Sequence, residues 1–350
     1  MKLPGLDGLR ALAIGLVFLL HLSTGLKRAI PALDHPHLVF TLAGAGGVGV
    51  ALFFAVSGFL VALPFTRGTY PDLKTYARRR LWRILPPYWL VLLIAFAGQI
   101  VMKMGTVSEL LPSLLASALF LHNILYGIWS KVLPVAWSLE IEVQFYVVAP
   151  LLGRLYAHPR AETLFFGLAF AGGVLSAIAN PVLAKLHLDR SLFSEGHFFL
   201  LGMGLAGRFT RLGKLADSGW HWDFAGIVGL AVMLLNWGKL GQWTQIGVQL
   251  ATLVSITGLF LGALHGRICQ SIANAGAPLG MRCYSLYLLH YPMLTLMLPL
   301  TKKLPMPGDA GLALLLQAIV IGLPILGATE AFYRTVELPC QKYGRNSKEI

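Results

Sequence analysis

The chain has 350 residues, of which 56% are hydrophobic and 12% are charged. Soluble proteins contain about 25% charged residues, so this composition excludes an ordinary soluble domain and predicts a polytopic membrane protein. The net charge of +13 does not predict nucleic-acid binding, because Lys and Arg accumulate in the cytoplasmic loops of membrane proteins. Cys269, Cys283 and Cys340 lack the spacing of a metal site or a disulfide framework. We therefore expect neither a metal nor a nucleic-acid partner.

Eleven segments are apolar enough for a transmembrane helix, which needs about 20 residues. They lie at about 6–26, 39–65, 84–103, 110–127, 137–157, 163–181, 192–209, 222–238, 244–264, 283–301 and 310–333. If all eleven crossed, the basic end of the chain would lie opposite the basic cluster at 74–83, against the positive-inside tendency. Omitting segment 110–127 resolves this conflict, because 19 of the 28 Lys and Arg residues then share one side.

The sequence thus predicts an all-α polytopic membrane protein of about ten transmembrane helices with both termini cytoplasmic. We expect one integral membrane domain over residues 1–340 and a cytoplasmic tail at 341–350. Segment 105–135 would be a re-entrant or interfacial element. Non-helical backbone at membrane depth is tolerated only when it is buried in protein or lines a wet cavity, so this element is a candidate wall of a site. Glycines in the second segment would allow close helix packing, and they are Gly44, Gly46, Gly47, Gly49 and Gly58.

Ionisable residues interrupt the first apolar segment. Asp7 and Arg10 are three residues apart and can pair on one helix face. Arg10 and His21 are eleven residues apart, which is about 16 Å along a helix and close to the same face. Arg10 is open to two interpretations, a residue that sets topology or a residue of a site. His21 is a functional candidate, because ionisable groups inside a membrane are usually functional and histidine accepts a proton near neutral pH.

A basic cluster precedes the third segment. Arg79, Arg80 and Arg83 form a charge cluster typical of a cytoplasmic helix end. They also suit a phosphate-bearing ligand that arrives from the cytoplasm, since arginine forks match phosphate oxygens.

The stretch WSLEIEVQFY at 137–146 places two carboxylates in apolar surroundings. Ser138 and Glu142 are four residues apart on one helix face, whereas Glu140 points elsewhere. Glu142 would lie at the depth of His21, where a carboxylate could orient the histidine ring. Trp137 is typical of a membrane interface. For Glu337, near the end of the chain, we expect pairing with arginines.

In these motifs the chain resembles the acyltransferase-3 family of integral membrane acyltransferases. The resemblance covers residues 6 to about 340 and rests on motifs in the family's order, namely Arg10 with His21, FFAVSGFL at 53–60, RRLWRILPPYW at 79–89, WSLEIEVQFY at 137–146, YSLYLLHYP at 284–292 and FYRTVELP at 332–339. Two positions depart from the family pattern. Glu140 stands where a small or apolar residue is usual, and Cys283 stands at the first position of the SYxxYLxH motif.

The resemblance implies transfer of an acyl group, commonly acetyl, from cytoplasmic acetyl-CoA to a hydroxyl of an envelope carbohydrate or glycolipid. It implies that Arg10 and His21 are essential, that the arginine cluster binds acyl-CoA, and that the acid of the WSL motif is Glu142. We expect His21 to be the general base, oriented by Glu142, with Arg10 toward the donor. We expect Trp137 and Ser138 to contact substrate.

Alternatives remain open at this stage. The same buried Arg, His and Glu would suit a proton relay in a transporter or flippase of a lipid-linked or acylated substrate. A covalent acyl-enzyme through Ser57, Ser138 or His21 is a second route for transfer. The sequence leaves open the acceptor, the acyl length and the oligomeric state. A bacterial-type inner membrane is the expected location.

Overall fold

The computed structural model describes residues 3–30, 38–70, 72–212, 219–237, 244–301 and 307–345. The chain folds in these ranges into α-helices joined by short turns. The helices are α1 (Pro4–Ala29), α2 (Leu38–Gly44), α3 (Val48–Thr66), α4 (Leu73–Val101), α5 (Val107–Ala118), α6 (His122–Tyr126), α7 (Trp137–Gly153), α8 (Ala161–Lys185), α9 (Leu192–Leu212), α10 (Trp220–Trp237), α11 (Gln245–His265), α12 (Ile268–Gly280), α13 (Cys283–Thr301), α14 (Ala310–Phe332) and α15 (Leu338–Arg345). A 3₁₀ turn, Pro134–Ala136, leads into α7, and a π-helical turn, Tyr333–Glu337, joins α14 to α15.

Seven stretches of the described chain are long and apolar enough to cross a membrane. They are Pro4–Ala29, Leu38–Thr66, Leu73–Val101, Pro134–Ala157, Ala161–Lys185, Gln245–His265 and Ala310–Arg345. Three further helices of 18 to 21 residues, α9, α10 and α13, lie between them in the chain. The all-α polytopic fold is confirmed, and these ten long elements agree with the predicted number of about ten.

Segment 105–135 breaks into short helices, as the sequence predicts for an element that does not span. At 1.5 Å per residue, the 12 residues of α5 cover only about 18 Å. Glu109 closes a capping box at the start of this helix, and hydrogen bonds from Thr106 lower the pKa of its carboxyl group. The chain then turns at Gly127, whose φ of +63° is a left-handed conformation that glycine adopts readily, and returns to the start of α7.

The bundle is organised around α1 and α3, which pack directly on each other. Near the start of α3, a Cβ on Gly49 would overlap the carbonyl oxygen of Ala13 in α1. In the middle of α3, a Cβ on Gly58 would overlap the carbonyl oxygen of Phe199 in α9. These glycines therefore allow close approach of the helices, as predicted. A stack of Phe54, Phe199 and Phe145, with ring centroids 4.6 and 4.1 Å apart, fills the core between α3, α7 and α9.

The last described helix, α15, packs against the first part of α4. The ring of Tyr343 in α15 lies 4.3 Å from that of Trp82. Residues 341–345 of the predicted tail are therefore helical and packed on α4, and residues 346–350 lie outside the described part of the chain.

Candidate active site

Three cavities follow one another through the helical bundle. The arginine cavity, about 270 Å³, is lined by Val61, Pro64, Thr75, Tyr76, Arg79, Arg80, Arg83, Gln341 and Arg345. The central cavity, about 70 Å³, is lined by Arg10, Val50, Phe53, Phe54, Ser57, Arg83, Ile84, Ser138, Leu139, Glu142, Tyr146, Cys283, Tyr284 and Tyr287. The histidine cavity, about 780 Å³, is lined by residues that include His21, Thr24, Arg28, Val50, Trp129, Trp137 and Tyr291.

The three cavities are neighbours, because each shares a lining residue with the next. Arg83 lines both the arginine cavity and the central cavity, and Val50 lines both the central cavity and the histidine cavity. Arg10 and His21, predicted on one face of the first helix, therefore lie in adjoining cavities. The arrangement places an arginine cluster and a histidine at opposite ends of a series of neighbouring cavities.

The positive charges of the first cavity are only partly compensated, because Glu142 and Glu337 act electrostatically on Arg83 without forming a salt bridge to it. Within the described part of the chain, no salt bridge involves Arg79, Arg80 or Arg83. The Arg80 guanidinium instead lies over the ring of Tyr146, 4.7 Å from its centroid. Buried or half-buried cations whose charge is not balanced by a salt bridge favour an anionic ligand. Three arginines around one cavity therefore suit a phosphate-bearing molecule.

The central cavity holds the acid of the WSL motif. Glu142 Oε1 accepts hydrogen bonds from Ser57 Oγ at 2.6 Å and from Tyr146 OH at 2.5 Å. Its other oxygen has no hydrogen-bond donor among the described residues. Arg10, which forms the predicted salt bridge with Asp7 at 3.0 Å, lines the same cavity. This cavity therefore combines a carboxylate with two arginines, Arg10 and Arg83.

The predicted pairing of Glu142 with His21 is wrong. No hydrogen bond or salt bridge joins these two side chains in the described chain, because Glu142 points at Ser57 and Tyr146. Equal depth in the membrane was the basis of that prediction, and depth does not fix which way a side chain points around its helix. The partner of His21 comes from α13 instead.

His21 pairs with a second histidine. His290 Nδ1 lies 2.7 Å from the carbonyl oxygen of Tyr287, and a carbonyl only accepts, so this nitrogen carries the proton. The unprotonated Nε2 of neutral His290 then accepts from His21 Nδ1, 3.2 Å away. With Nδ1 as the donor, Nε2 of neutral His21 is left without a proton, and the ring also contacts the backbone carbonyl of Val17 one turn back. Because His21 lines the histidine cavity, this nitrogen is suited to take a proton there.

The start of α7 separates the central cavity from the histidine cavity. Trp137 lines the histidine cavity and Ser138 lines the central cavity. The Ser138 hydroxyl lies 3.2 Å from Tyr287 OH, which itself donates to the carbonyl oxygen of Val135. The two predicted substrate-contacting residues thus lie in the wall between the two cavities.

Two glutamates are structural elements of the site. Glu140, at the position that departs from the family pattern, is buried and accepts from the backbone N–H of Asn123 at 2.9 Å, which fixes segment 105–135 to α7. Glu337 accepts from Ser285 and Gln341. Its carboxylate also interacts electrostatically with Arg83, in line with the expected pairing with an arginine, although no salt bridge joins them in the described part of the chain.

Sequence reasoning missed His290 as a member of the site. The YSLYLLHYP motif contained it, and Tyr291 and Tyr287 beside it suggested only an interfacial aromatic belt. Sequence reasoning considered Ser57 only as one of three candidate acyl-enzyme residues and missed its contact with Glu142, because a serine within a span usually bonds a carbonyl one turn back. Its bond to Glu142 joins residues 85 positions apart in the sequence, and spacing along one helix does not predict such a contact.

The family assignment follows from a match over most of the chain. The acyltransferase domain family matches residues 3–332. The chain belongs to the acyltransferase-3 family. This membership confirms the resemblance derived from the motifs.

The curated relatives include proteins named as O-acetyltransferases and one named as an exopolysaccharide production protein. O-acetyltransferase OatA of Staphylococcus aureus is 27% identical over 98% of this chain and 58% of its own length. Peptidoglycan O-acetyltransferase OatA of Listeria monocytogenes is 26% identical over 97% of this chain and 56% of its own. Exopolysaccharide production protein ExoZ of Rhizobium meliloti is 27% identical over 86% of this chain and 91% of its own length. The chain thus spans a little over half the length of the OatA relatives. No solved structure matches it.

Proposed function

We propose that this protein is a membrane O-acetyltransferase that moves an acetyl group from acetyl-CoA to a hydroxyl of a cell-envelope polysaccharide or glycolipid. The observation that carries the proposal is the series of neighbouring cavities that runs from an arginine cluster to the unprotonated nitrogen of His21. Relatives named as O-acetyltransferases and as an exopolysaccharide production protein support acetyl as the acyl group and carbohydrate as the acceptor.

The donor binds at the arginine end. Arg79, Arg80 and Arg83 hold the phosphates of acetyl-CoA. The negative charges of these phosphates complement the positive guanidinium groups. The pantetheine arm is long and thin, and it extends past Arg83 into the narrow central cavity. Arg10, which lies about three helical turns from His21 along α1, lines the path of that arm.

The acceptor binds at the histidine end. Its hydroxyl gives a proton to His21 Nε2 as its oxygen attacks the thioester carbon, because an alcohol is a poor nucleophile until a base removes that proton. The C–S bond then breaks, CoA leaves as a thiolate, and the proton held by His21 is returned to it. His290 is a positioning residue, because it fixes the tautomer in which Nε2 is free.

Glu142 acts on the donor side. Its carboxylate opposes the charges of Arg10 and Arg83 and aligns Ser57 and Tyr146 along the wall of the central cavity. Trp137 and Ser138 guide the two substrates toward each other. Transfer is direct in this mechanism, since His21 acts on the acceptor hydroxyl and needs no acyl-enzyme.

The arginine cavity faces the cytoplasm in this proposal. The excess of Lys and Arg on one side of the predicted topology supports that orientation. Arg345, near the end of the described chain, lines the same cavity, so the C-terminal end lies on that side too. Family membership favours an acyltransferase over the alternative of a transporter or flippase.

Acetyl transfer from labelled acetyl-CoA tests the function. Membranes that contain the wild type or His21→Ala at matched protein levels receive a mixed pool of envelope glycans, and the label in glycan is counted. His158→Ala is the control, because His158 is exposed on a turn away from the cavities. We expect transfer by the wild type and the control only, with donor binding retained by His21→Ala. Transfer by His21→Ala at the wild-type rate would refute the assigned base.

A further inference from the structure

A tryptophan outside the family motifs lies in the wall of the histidine cavity. Trp129 is in the chain between α6 and α7 and lines that cavity together with Trp137 and His21. The two indole rings lie edge to face, with centroids 5.7 Å apart and planes at 73°. Trp129 remains 48% exposed. The wall of the cavity therefore contains two adjacent indole rings beside the proposed base.

A cation holds the Trp129 ring in place. The guanidinium carbon of Arg190 lies 4.0 Å from the centroid of that ring, and Arg190 Nη1 donates to the carbonyl oxygen of Gly127 at 3.1 Å. One side chain thus covers one face of the indole and also fixes the turn that precedes it. A guanidinium over an indole is a favourable contact. The side chain is nonetheless about half exposed and lines the cavity, so part of the ring remains available to a ligand.

We propose that Trp129 and Trp137 form a carbohydrate subsite that stacks a sugar ring of the acceptor next to His21. This inference rests on the proposed function and specifies how its acceptor is recognised. The C–H groups on one face of a pyranose carry partial positive charge, and the face of an indole is negative, so the two attract as aromatic edges attract aromatic faces.

The remaining lining of the cavity suits a sugar better than a lipid chain. Thr24 and Arg28 line the cavity with His21, and they offer hydroxyl and guanidinium groups to the hydroxyls of a sugar. Ligand pockets typically measure about 300–1,000 Å³ and combine apolar walls with a few polar groups. The histidine cavity, at about 780 Å³, has that size and that combination. A cavity for an acyl chain would not need these polar groups.

Acceptor kinetics test the subsite. Full-length protein in detergent receives acetyl-CoA and increasing amounts of soluble peptidoglycan fragments or of a neutral hexose polysaccharide fragment. We expect Trp129→Ala to raise the KM for the fragment that serves as acceptor about tenfold, which corresponds to about 1.4 kcal/mol. Trp129→Phe should retain most of the affinity. Hydrolysis of acetyl-CoA without glycan is measured in parallel for each variant. Trp220→Ala is the matched control, because Trp220 is 75% exposed at the start of α10 and lines none of the three cavities.

Oxidative footprinting keeps the test independent of activity. Wild-type and His21→Ala proteins are treated with N-bromosuccinimide, with and without the same glycan fragments, and oxidation of each tryptophan is read by mass spectrometry. We expect the fragments to protect Trp129 but not Trp220 in both proteins. Arg190→Ala should weaken this protection, and Arg190→Lys should restore part of it, because a lysine retains the cation but not the planar stack.

The possible outcomes separate the subsite from the function. An unchanged KM in Trp129→Ala, or equal oxidation of Trp129 with and without glycan, would overturn the subsite. An equal loss of donor hydrolysis and transfer in Trp129→Ala, restored by neither Phe nor higher glycan concentration, would show a structural role and also overturn it. Protection of Trp129 in a wild type that transfers no acetyl would uphold the subsite and refute the proposed function.

Discussion

His290 Nε2 lies 3.2 Å from Nδ1 of His21, across the interface between α1 and α13. Because the other nitrogen of His290 donates to a backbone carbonyl, this contact selects one tautomer of His21 and leaves its Nε2 without a proton. The two histidines are 269 positions apart in the sequence. They form a unit in which one ring does chemistry and the other orients it.

Loss of His290 should reduce catalysis without reducing donor binding. We expect His290→Ala to lower the kcat for acetyl transfer by about 10²-fold, since a correctly placed base typically contributes 10²–10⁴-fold. His290→Gln should retain part of the rate, because its amide oxygen can accept from His21 Nδ1. The pH dependence of kcat should change in both variants. His158→Ala is again the control.

The double variant should show that the histidines act together. Groups that work as one unit have non-additive effects. We expect His21→Ala combined with His290→Ala to be no slower than His21→Ala alone in the labelled-acetyl assay. A further large loss in the double variant would indicate that His290 contributes separately, and the positioning role would then be wrong.

Arg83 should control donor affinity. A hydrogen bond to a charged group contributes about 1.5–3 kcal/mol, so Arg83→Ala should weaken coenzyme A binding by roughly 10- to 100-fold, with about 1.4 kcal/mol for each factor of ten. Titration calorimetry at two salt concentrations measures this, and a weaker salt dependence is expected in the variant. Arg208→Ala is the control, because Arg208 is half exposed and faces Glu162 at 3.7 Å. Unchanged affinity in Arg83→Ala would remove the arginine cavity as the donor site.

Glu142 variants should separate packing from charge. Glu142→Gln keeps an oxygen that accepts from Ser57 and Tyr146, whereas Glu142→Ala leaves both hydroxyls unpaired, at a cost of about 1–3 kcal/mol each. We expect a lower thermal midpoint in detergent for Glu142→Ala only. Both variants should lower the KM for acetyl-CoA, because Arg10 and Arg83 lose the carboxylate that opposes their charge and then attract the anionic donor more strongly. An effect on the KM for glycan alone would instead place Glu142 on the acceptor side.

The close contact of α1 with α3 should be sensitive to one methyl group. In Gly49→Ala the new Cβ would meet the carbonyl oxygen of Ala13, and overpacking of this kind costs about 1–3 kcal/mol. Gly15→Ala is the matched control in α1, since its Cβ would have no atom within 4 Å, and it should be neutral or slightly stabilising. Thermal unfolding in one detergent compares the two. Equal midpoints would contradict the tight packing at Gly49.

The sequence by itself determined the fold class, the approximate number of long helices and the family. Apolar length and the distribution of Lys and Arg predict these, because the membrane imposes the same requirement on every segment regardless of its neighbours. The same reasoning identified segment 105–135 as a candidate wall of a site, and the structure places Trp129 of that segment in the histidine cavity. Spacing on one helix also predicted the salt bridge of Asp7 with Arg10.

Only the tertiary structure decided the partners of the chemical groups. The sequence placed Glu142 beside His21 because both lie at similar depth, yet Glu142 faces Ser57 and Tyr146, and His21 faces His290. The rotation of each helix about its own axis sets these partners, and that rotation depends on how all the helices pack at once. Periodicity within a single segment fixes which residues share a face, but not which neighbouring helix that face meets.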